Sequence, residues 1–317
     1  MSILVTGGAG YIGSQMVNAL RDRGEKVVVL DNLSTGFAWA VPPDVPFFGG
    51  EVSDQALVKR IIGEREVEAV CHFAAKIVVP DSVADPLGYY LANTVASRAL
   101  IESAIQSGVK KFVFSSTAAV YGEPKIMPVS EDTPLAPLSP YGTSKMMTEF
   151  MLRDASAAHD FNYVALRYFN VAGAAPLGRT GQSTPNATHL IKVAVQAALG
   201  YRTHLDLYGT DYDTPDGSCV RDYIQVSDLA AAHLNALDYL RSGGKSTVYN
   251  CGYGTGYSVL QVIEVVKQVS GVDFTVRVMP RRPGDSAAVV AKADRIRAEL
   301  GWKPQHDDLR EIVEQAL

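Results

Sequence analysis

Short apolar runs alternate with amphipathic segments through the first half of the chain. The apolar runs have the length of buried strands, and the amphipathic segments repeat their apolar positions at helical spacing. Predicted strands cover residues 2–6, 27–30, 46–49, 69–75, 111–114 and 162–166, and predicted helices cover residues 11–23, 54–63, 86–106 and 141–158. This alternation predicts an α/β fold built on a doubly wound parallel sheet.

The alternation is less regular after residue 170. Loops are predicted at residues 174–186, 205–217 and 280–285, strands at 220–224 and 248–250, and helices at 188–199, 227–240 and 258–269. We therefore expect two domains, residues 1–170 and a smaller C-terminal α/β domain of residues 171–317, with segments such as 220–240 returning to the large sheet. The acidic residues of the loop 205–217 lack the spacing of a calcium loop, so no metal site is expected.

Three glycines follow the first predicted strand at three-residue spacing: Gly7, Gly10 and Gly13. An amphipathic helix comes next, and the second predicted strand runs into Asp31. Such glycines let backbone N–H groups approach a pyrophosphate at the N-terminus of a helix, which predicts a dinucleotide-binding Rossmann domain. An acid at the end of the second strand can bind a ribose 2′-hydroxyl and repels a 2′-phosphate. The unit therefore favours NAD over NADP as the cofactor.

Tyr141 and Lys145 lie four residues apart behind Pro140, at the start of a predicted helix. This spacing places both side chains on one face of the helix. A phenol has a pKa of about 10, and a neighbouring ammonium lowers it. We therefore predict that Tyr141 acts as a general base towards a substrate hydroxyl, with Lys145 beside it. Thr117 follows the predicted strand 111–114, where ligands of such sheets bind, so its hydroxyl can bond the same substrate oxygen.

The composition of the chain argues for some binding partners and cellular compartments and against others. Its 317 residues are 47% apolar and 20% charged, which is ordinary for a globular protein, and its net charge is −5. No block of basic residues is present, which argues against nucleic acid or a membrane surface as a partner. No apolar run reaches the ~18 residues of a transmembrane helix. Three scattered cysteines and the absence of a basic leader favour a reducing cytoplasm.

Two arginines and a histidine complete the candidates that the residues themselves suggest. Arg221 and Arg282 are the best candidates to clamp a diphosphate, because arginine forks match phosphate oxygens. His72 lies within a predicted strand, and we expect it to be a hydrogen-bonded core residue.

Seven short motifs mark the chain, at residues 6–13 (TGGAGYIG), 30–33 (LDNL), 114–122 (FSSTAAVYG), 139–145 (SPYGTSK), 167–170 (RYFN), 220–224 (VRDYI) and 280–285 (PRRPGD). Together they resemble the UDP-galactose 4-epimerase family of the extended short-chain dehydrogenase/reductase superfamily, over essentially the whole chain. The resemblance implies that hydride passes from C4 of a UDP-sugar to tightly bound NAD. The 4-keto sugar then rotates, and the hydride returns to its other face.

The same resemblance implies a set of site residues. Tyr141 would be the base, with Thr117 and Lys145 as its catalytic partners. The implied cofactor-binding residues are Gly7, Gly10, Tyr11, Ile12, Gly13, Asp31, Asn32, Glu51, Val52, Phe73, Ala74, Asn93, Lys145 and Tyr168. The implied substrate-binding residues are Thr117, Tyr141, Asn170, His189, Leu190, Tyr208, Arg221, Tyr223, Arg282, Asp285 and Val289.

Three positions depart from the family pattern. Glu51 stands where the family usually has Asp near the adenine, and His189 stands where some members have Asn near the sugar and phosphates. Val289 stands where some members have a Tyr that narrows the sugar pocket. A smaller residue leaves room for an N-acetyl group, so we expect activity on UDP-N-acetylglucosamine and UDP-N-acetylgalactosamine as well.

Other functions remain open at this point. A 4-epimerase for UDP-pentoses or UDP-uronates fits the same motifs. A nucleotide-sugar 4,6-dehydratase is disfavoured because Ala118 and Ala119 follow Thr117, where those relatives carry Asp-Glu. A non-catalytic NAD-binding regulator is disfavoured because Tyr141 and Lys145 are both present. The helices 86–106 and 141–158 resemble the pair that forms a four-helix bundle between subunits in relatives, so a homodimer is expected.

Overall fold

A seven-stranded parallel sheet forms the centre of the protein, as seen in a computed structural model that describes residues 1–176, 178–184, 187–282 and 284–317. Its strands lie in the spatial order Thr247–Cys251, Asn162–Tyr168, Lys111–Ser115, Val67–His72, Ser2–Thr6, Val27–Asp31 and Phe47–Gly49. The strand order steps outward in both directions from the first strand of the chain. This confirms the predicted doubly wound α/β fold.

Helices cover both faces of this sheet. Tyr11–Asp22 and Val226–Arg241 pack on one face, and Gln55–Arg65 and Ala96–Gln106 pack on the other, together with Pro140–Ala158. Side chains alternate across the sheet, so Ile3 and Val5 belong to one core cluster and Leu4 belongs to the other. Burial on both faces explains why these strands read as continuous apolar runs in the sequence.

A smaller layer follows residue 170. One sheet joins Val220–Gln225 to Gly256–Ser258, Ala288–Val289 and Asn170–Ala172, and a second pairs Leu205–Tyr208 with Val276–Met279. The helices of this part are Leu190–Ala198, Val259–Ser270, Asp294–Leu300 and Leu309–Ala316. Helix Val226–Arg241 and strand Thr247–Cys251 belong to the large sheet layer, whereas strand Val220–Gln225 pairs within the small sheet. The division of the chain at residue 170 stays a prediction.

Three element predictions differ from the structure. Leu205–Tyr208 is a strand rather than part of a loop, because Leu205 and Leu207 alternate inward while turn-forming residues follow them. The predicted strand 69–75 ends at His72. The predicted helix 86–106 is interrupted by a π-helical segment, Tyr90–Val95, which carries Asn93. In the part of the chain that the structure describes, no helix has the length and apolarity needed to cross a membrane.

Candidate active site

The carboxyl ends of four neighbouring strands meet at one edge of the large sheet. The glycine turn follows Thr6, Phe73 and Ala74 follow His72, and Ser116 and Thr117 follow Ser115. Tyr168 ends the strand beside them. This edge is where ligands bind in open parallel sheets, and the predicted cofactor and catalytic residues gather along it.

The glycine turn leaves no space for side chains. Gly7 has a φ of +72°, and a Cβ atom there would lie 2.6 Å from the backbone nitrogen of Ala74. A Cβ atom on Gly13 would lie 2.0 Å from the carbonyl oxygen of Gly7. Gly10 precedes the helix Tyr11–Asp22 and provides no side-chain cap. The first backbone N–H groups of that helix, including those of Tyr11 and Ile12, therefore fit a pyrophosphate.

Asp31 links the second strand to this turn. Its carboxylate accepts hydrogen bonds from the backbone N–H groups of Ala9 at 2.9 Å and of Leu33 at 2.7 Å. Asn32 donates to the Glu51 carboxylate at 3.0 Å. Glu51, which stands where the family usually has Asp, therefore lies among the predicted cofactor-binding residues. Val52 packs its side chain into the core, so only its backbone can face a cofactor. The N–H groups of the glycine turn fit the diphosphate of NAD, and the adjacent Asp31 carboxylate fits one of its riboses.

Tyr141 lies one residue inside the helix Pro140–Ala158, which Ser139 caps by accepting the Gly142 N–H. Its side chain is only 8% exposed. Burial raises the pKa of the Tyr141 phenol above its usual value, and contact with the Thr117 hydroxyl opposes that rise. Thr117 also accepts a hydrogen bond from the Ala119 N–H at 3.1 Å, which holds it in place.

Lys145 lies one turn further along the same helix. Its ammonium donates to the carbonyl oxygen of Ser115 at 2.9 Å and lies 4.9 Å from the centre of the Phe114 ring. Burial lowers the pKa of Lys145 to about 7, and the charge of Glu149 opposes that shift. The expected net lowering of the Tyr141 pKa is wrong for the protein chain itself, because burial raises it. Burial disfavours a charged phenolate, and the Lys145 ammonium is directed at the Ser115 carbonyl oxygen.

Tyr168 and Asn93 flank this pair. The Tyr168 hydroxyl lies 2.5 Å from the Ser115 hydroxyl, and burial raises the pKa of Tyr168. Asn93 exchanges hydrogen bonds with the backbone of Lys76 in both directions and donates to the Ser144 hydroxyl at 3.0 Å. It thereby ties the segment after the fourth strand to the helix that carries Tyr141.

Two histidines lie behind the site. His72 contacts the hydroxyls of Thr6 at 2.7 Å and Ser97 at 2.8 Å, which confirms the prediction of a hydrogen-bonded core histidine. Burial, aided by the charge of Lys145, lowers the pKa of His72 to about 3, so its ring is neutral. His233 packs against the Phe73 ring at 4.7 Å between centroids, a contact that the sequence did not suggest.

Four of the predicted substrate residues share one face of the small sheet. Arg221 and Tyr223 alternate along one strand, Val289 pairs in register with Arg221, and Asn170 pairs with Tyr223. Registered neighbours and alternate residues point to the same side of a sheet. Because Asn170 is two residues beyond Tyr168, this face continues from the catalytic edge.

A cavity of about 190 Å³ lies beside this face. Its lining contains four predicted residues, Asn170, His189, Leu190 and Tyr223, and also Lys192, which the sequence did not single out. Residues 189–192 form the start of the helix Leu190–Ala198, which provides unpaired N–H groups and a positive dipole end.

Arg282, Asp285 and Tyr208, three further predicted substrate residues, form a second cluster. The Arg282 guanidinium donates to the Asp285 carboxylate at 3.0 Å and lies 4.5 Å from the centre of the Tyr208 ring. Arg221 donates to the carbonyl oxygen of Ser286 at 2.8 Å, next to the Asp285 that Arg282 contacts. Planar rings and guanidinium forks of this kind suit a base and a diphosphate.

The sheet, its glycine turn and the Tyr141–Lys145 pair are those of a dinucleotide-binding enzyme of the Rossmann type. A model of the NAD dependent epimerase/dehydratase family matches residues 3–252. The chain belongs to this family.

Several similar proteins are 4-epimerases of UDP-sugars. The chain is 56% identical to the UDP-glucose 4-epimerase of Azospirillum brasilense over 315 residues, which are 99% of this chain and 90% of that one. The structure of UDP-glucose 4-epimerase from Bifidobacterium longum in complex with NAD+ and UDP matches with a TM-score of 0.95 at 38% identity, covering 100% of this chain and 97% of that one. The UDP-Glc/GlcNAc 4-epimerase of Campylobacter jejuni matches with a TM-score of 0.87 at 49% identity, covering 99% and 97%.

Proposed function

We propose that the protein is an NAD-dependent 4-epimerase that interconverts UDP-galactose and UDP-glucose. One observation carries the proposal: a single helix sets Tyr141 against Thr117 and Lys145 against Ser115, at the edge where the glycine turn lies. The small sheet carries Arg221 and its neighbours on the face that continues from this edge, and these side chains suit a nucleotide diphosphate. The full-length likeness to UDP-glucose 4-epimerases supports the same function.

Each residue has a defined task in this reaction. The Tyr141 phenolate takes the proton from the 4-hydroxyl of the sugar, and the phenol later returns it to the oxygen of the 4-keto group after the sugar has rotated. Thr117 hydrogen-bonds the same oxygen, and the protonated form of Lys145 favours the phenolate. NAD supplies, when bound, the ring that takes the hydride from C4 and gives it back. Ala118 and Ala119 follow Thr117, so no acid stands there to expel water from the sugar.

A product assay tests the proposal directly. Purified protein is incubated with UDP-galactose without added NAD, and the sugar nucleotides are separated by chromatography. We expect UDP-glucose to form, because the cofactor is regenerated in each turnover and stays bound. If no UDP-glucose forms even after NAD is added, the galactose assignment is wrong. UDP-xylose, UDP-arabinose and UDP-glucuronate are then the next substrates to assay.

The small side chain at position 289 suits N-acetylated substrates as well. Val289 lies beside Arg221 on the face of the small sheet that carries the predicted substrate residues. Some relatives have at this position a Tyr that narrows the sugar pocket. The likeness to the Campylobacter jejuni UDP-Glc/GlcNAc 4-epimerase supports this broader range. We propose that UDP-N-acetylglucosamine and UDP-N-acetylgalactosamine are substrates as well.

The substitution Val289→Tyr tests this range. It should reduce kcat/KM for UDP-N-acetylglucosamine roughly a hundredfold or more, because a ring that meets the N-acetyl group costs about 3 kcal/mol. The value for UDP-galactose should change less than about threefold. Val272→Tyr, on an exposed loop, is a matched control. Equal losses on both substrates would contradict the assignment of Val289 to the sugar pocket.

A homodimer is the proposed assembly. Leu87, Leu91 and Val95 follow one another at four-residue intervals and are 78%, 65% and 50% exposed. Met147 and Phe150, on the adjoining helix Pro140–Ala158, are also exposed. An apolar surface shared by two packed helices suits burial against a second copy.

Sedimentation at micromolar protein concentration tests the assembly. The unmodified chain should sediment as a dimer, and Leu91→Asp should convert it to a monomer. Leu199→Asp places the same charge on an exposed leucine that follows the helix Leu190–Ala198 and should leave the dimer intact. A monomeric unmodified protein would rule out the dimer.

A cytoplasmic location is proposed as well. The cysteines Cys71, Cys219 and Cys251 are all buried and form no disulfide in the described structure. Unpaired cysteines are usual in a reducing compartment. Fractionation of the producing cells, with recovery of the protein in the cytosolic fraction, is the corresponding test.

A further inference from the structure

Three successive turns of the helix Pro140–Ala158 contact three successive residues of the strand end. Tyr141 contacts the Thr117 hydroxyl, and Lys145 donates to the Ser115 carbonyl oxygen. The third contact lies between them: the Ser116 hydroxyl donates to the Glu149 carboxylate at 2.5 Å. The proposed reaction uses the first two contacts and leaves Glu149 without a task.

Glu149 is only 3% exposed and is held by a buried partner. The Arg167 guanidinium donates to both carboxylate oxygens, from Nε at 3.0 Å and from a terminal nitrogen at 2.6 Å. Arg167 also donates to the Tyr121 hydroxyl at 3.0 Å. It precedes Tyr168, whose hydroxyl contacts Ser115. The ion pair and the Ser116 contact therefore join the catalytic helix to two of the four strands at the catalytic edge, Lys111–Ser115 and Asn162–Tyr168.

The charge of Glu149 also reaches Lys145, one turn away. Burial lowers the pKa of Lys145, and Glu149 opposes that effect. His72, whose pKa the charge of Lys145 helps to lower, is uncharged near neutral pH, and burial raises the pKa values of the Tyr141 and Tyr168 phenols.

The remaining neighbours of Glu149 do not replace its charge. Tyr121 and Tyr163 are uncharged near neutral pH, since burial raises the pKa of both phenols. The Glu131 carboxylate accepts a hydrogen bond from the Asn250 N–H. Arg167 is the positive partner that permits the burial of Glu149.

We propose that Glu149 is a positioning residue of the active site: it fixes Ser116 so that Thr117 and Ser115 stay aligned with Tyr141 and Lys145. Its charge, one helical turn from Lys145, also favours the ammonium form of that residue. The rate effects expected below rest on the proposed epimerase function, whereas the alignment of the strand end does not.

Glu149→Gln removes the charge and keeps the shape. Lys145 must be protonated to favour the Tyr141 phenolate, so kcat falls when it loses its proton. The variant should lower kcat for UDP-galactose roughly tenfold at pH 8, with KM changed less than about threefold. The alkaline limb of the kcat–pH profile should move down by about one pH unit. A merely structural defect would lower kcat equally at every pH.

Two further variants sharpen the test. Glu149→Asp keeps the charge but shortens the side chain, so it should preserve the alkaline limb while kcat stays low. Asp154→Asn removes an exposed charge from the same helix and should match the unmodified protein in both respects. An unchanged kcat and an unchanged pH profile in Glu149→Gln would overturn the proposal.

Hydrogen exchange gives a readout that needs no turnover. Peptides that span residues 112–120 should exchange faster in Glu149→Gln than in the unmodified protein, while Asp154→Asn should leave them unchanged. If the protein epimerised no UDP-sugar, the proposed function would fail, but this exchange result would still decide the positioning role. Equal protection of these peptides in Glu149→Gln and the unmodified protein would overturn that role.

Discussion

Replacing Tyr141 with Phe removes one oxygen atom from the centre of the proposed site. The ring stays, so the buried volume is unchanged and only the contact with Thr117 is lost. A single buried hydrogen bond contributes about 1 kcal/mol, so the free energy of unfolding should fall by no more than about that amount. General-base catalysis contributes a factor of about 10² to 10⁴, which corresponds to about 3 to 5 kcal/mol of the activation barrier. Tyr141→Phe is therefore expected to lower the reaction rate far more than the stability of the fold.

The assay compares initial rates of UDP-glucose formation from UDP-galactose, with urea unfolding as the stability measurement. Tyr141→Phe should lose at least about a hundredfold in kcat while KM changes little, because the phenol acts on the reacting oxygen. Tyr249→Phe is the matched control. It removes a buried hydroxyl that donates to Glu299 at 2.7 Å, outside the proposed site. A Tyr141→Phe variant that kept a third or more of the native kcat would refute the assignment of the base.

Two further predictions concern the turn and a buried acid. Gly13→Ala should lower the free energy of unfolding by about 1 to 3 kcal/mol and abolish retention of NAD, because its Cβ atom would lie 2.0 Å from the Gly7 carbonyl oxygen. Gly63→Ala meets no atom within 4 Å and should be neutral or stabilising. Burial raises the pKa of Asp222 to about 6 although three backbone N–H groups oppose the shift, so the folded state binds its proton more tightly than the unfolded state. The stability of the native protein relative to Asp222→Asn should therefore fall by up to about 3 kcal/mol as pH rises from about 4 to 6; a constant difference in urea unfolding would contradict this.

The sequence predicts the local parts of this site well. Gly7, Gly10 and Gly13 mark their turn through spacing alone, and helical spacing places Tyr141 and Lys145 on one face. Leu205–Tyr208 was missed because its short alternation runs into a turn rich in Asp and Gly. The π-helical segment Tyr90–Val95 was missed because it is short and lies directly between two α-helical segments, Pro86–Tyr89 and Ala96–Gln106.

Charge states and distant pairs depend on the folded surroundings. The Tyr141 pKa is raised by burial, and the degree of burial cannot be read from a four-residue spacing. Glu149 did carry a local signal, since it continues the four-residue spacing of Tyr141 and Lys145. Its partner Arg167 lies on another element, and only the pairing of strand Lys111–Ser115 with strand Asn162–Tyr168 brings it under the helix.

The energetics of that pair separate stability from alignment. Removing one partner leaves the other as an unpaired buried charge. Arg167→Met alone should therefore lower the free energy of unfolding by about 3 to 5 kcal/mol. Replacing both partners by Met removes the desolvation cost together with the attraction, so the double variant Glu149→Met, Arg167→Met should unfold within about 2 kcal/mol of the native protein. Ser116 nevertheless loses its acceptor in that variant, and Lys145 loses a neighbouring negative charge. Its kcat should therefore stay at least about tenfold low despite a stable fold. A stable double variant with native kcat would show that the ion pair serves only the stability of the fold, and that the strand end aligns with Tyr141 and Lys145 without it.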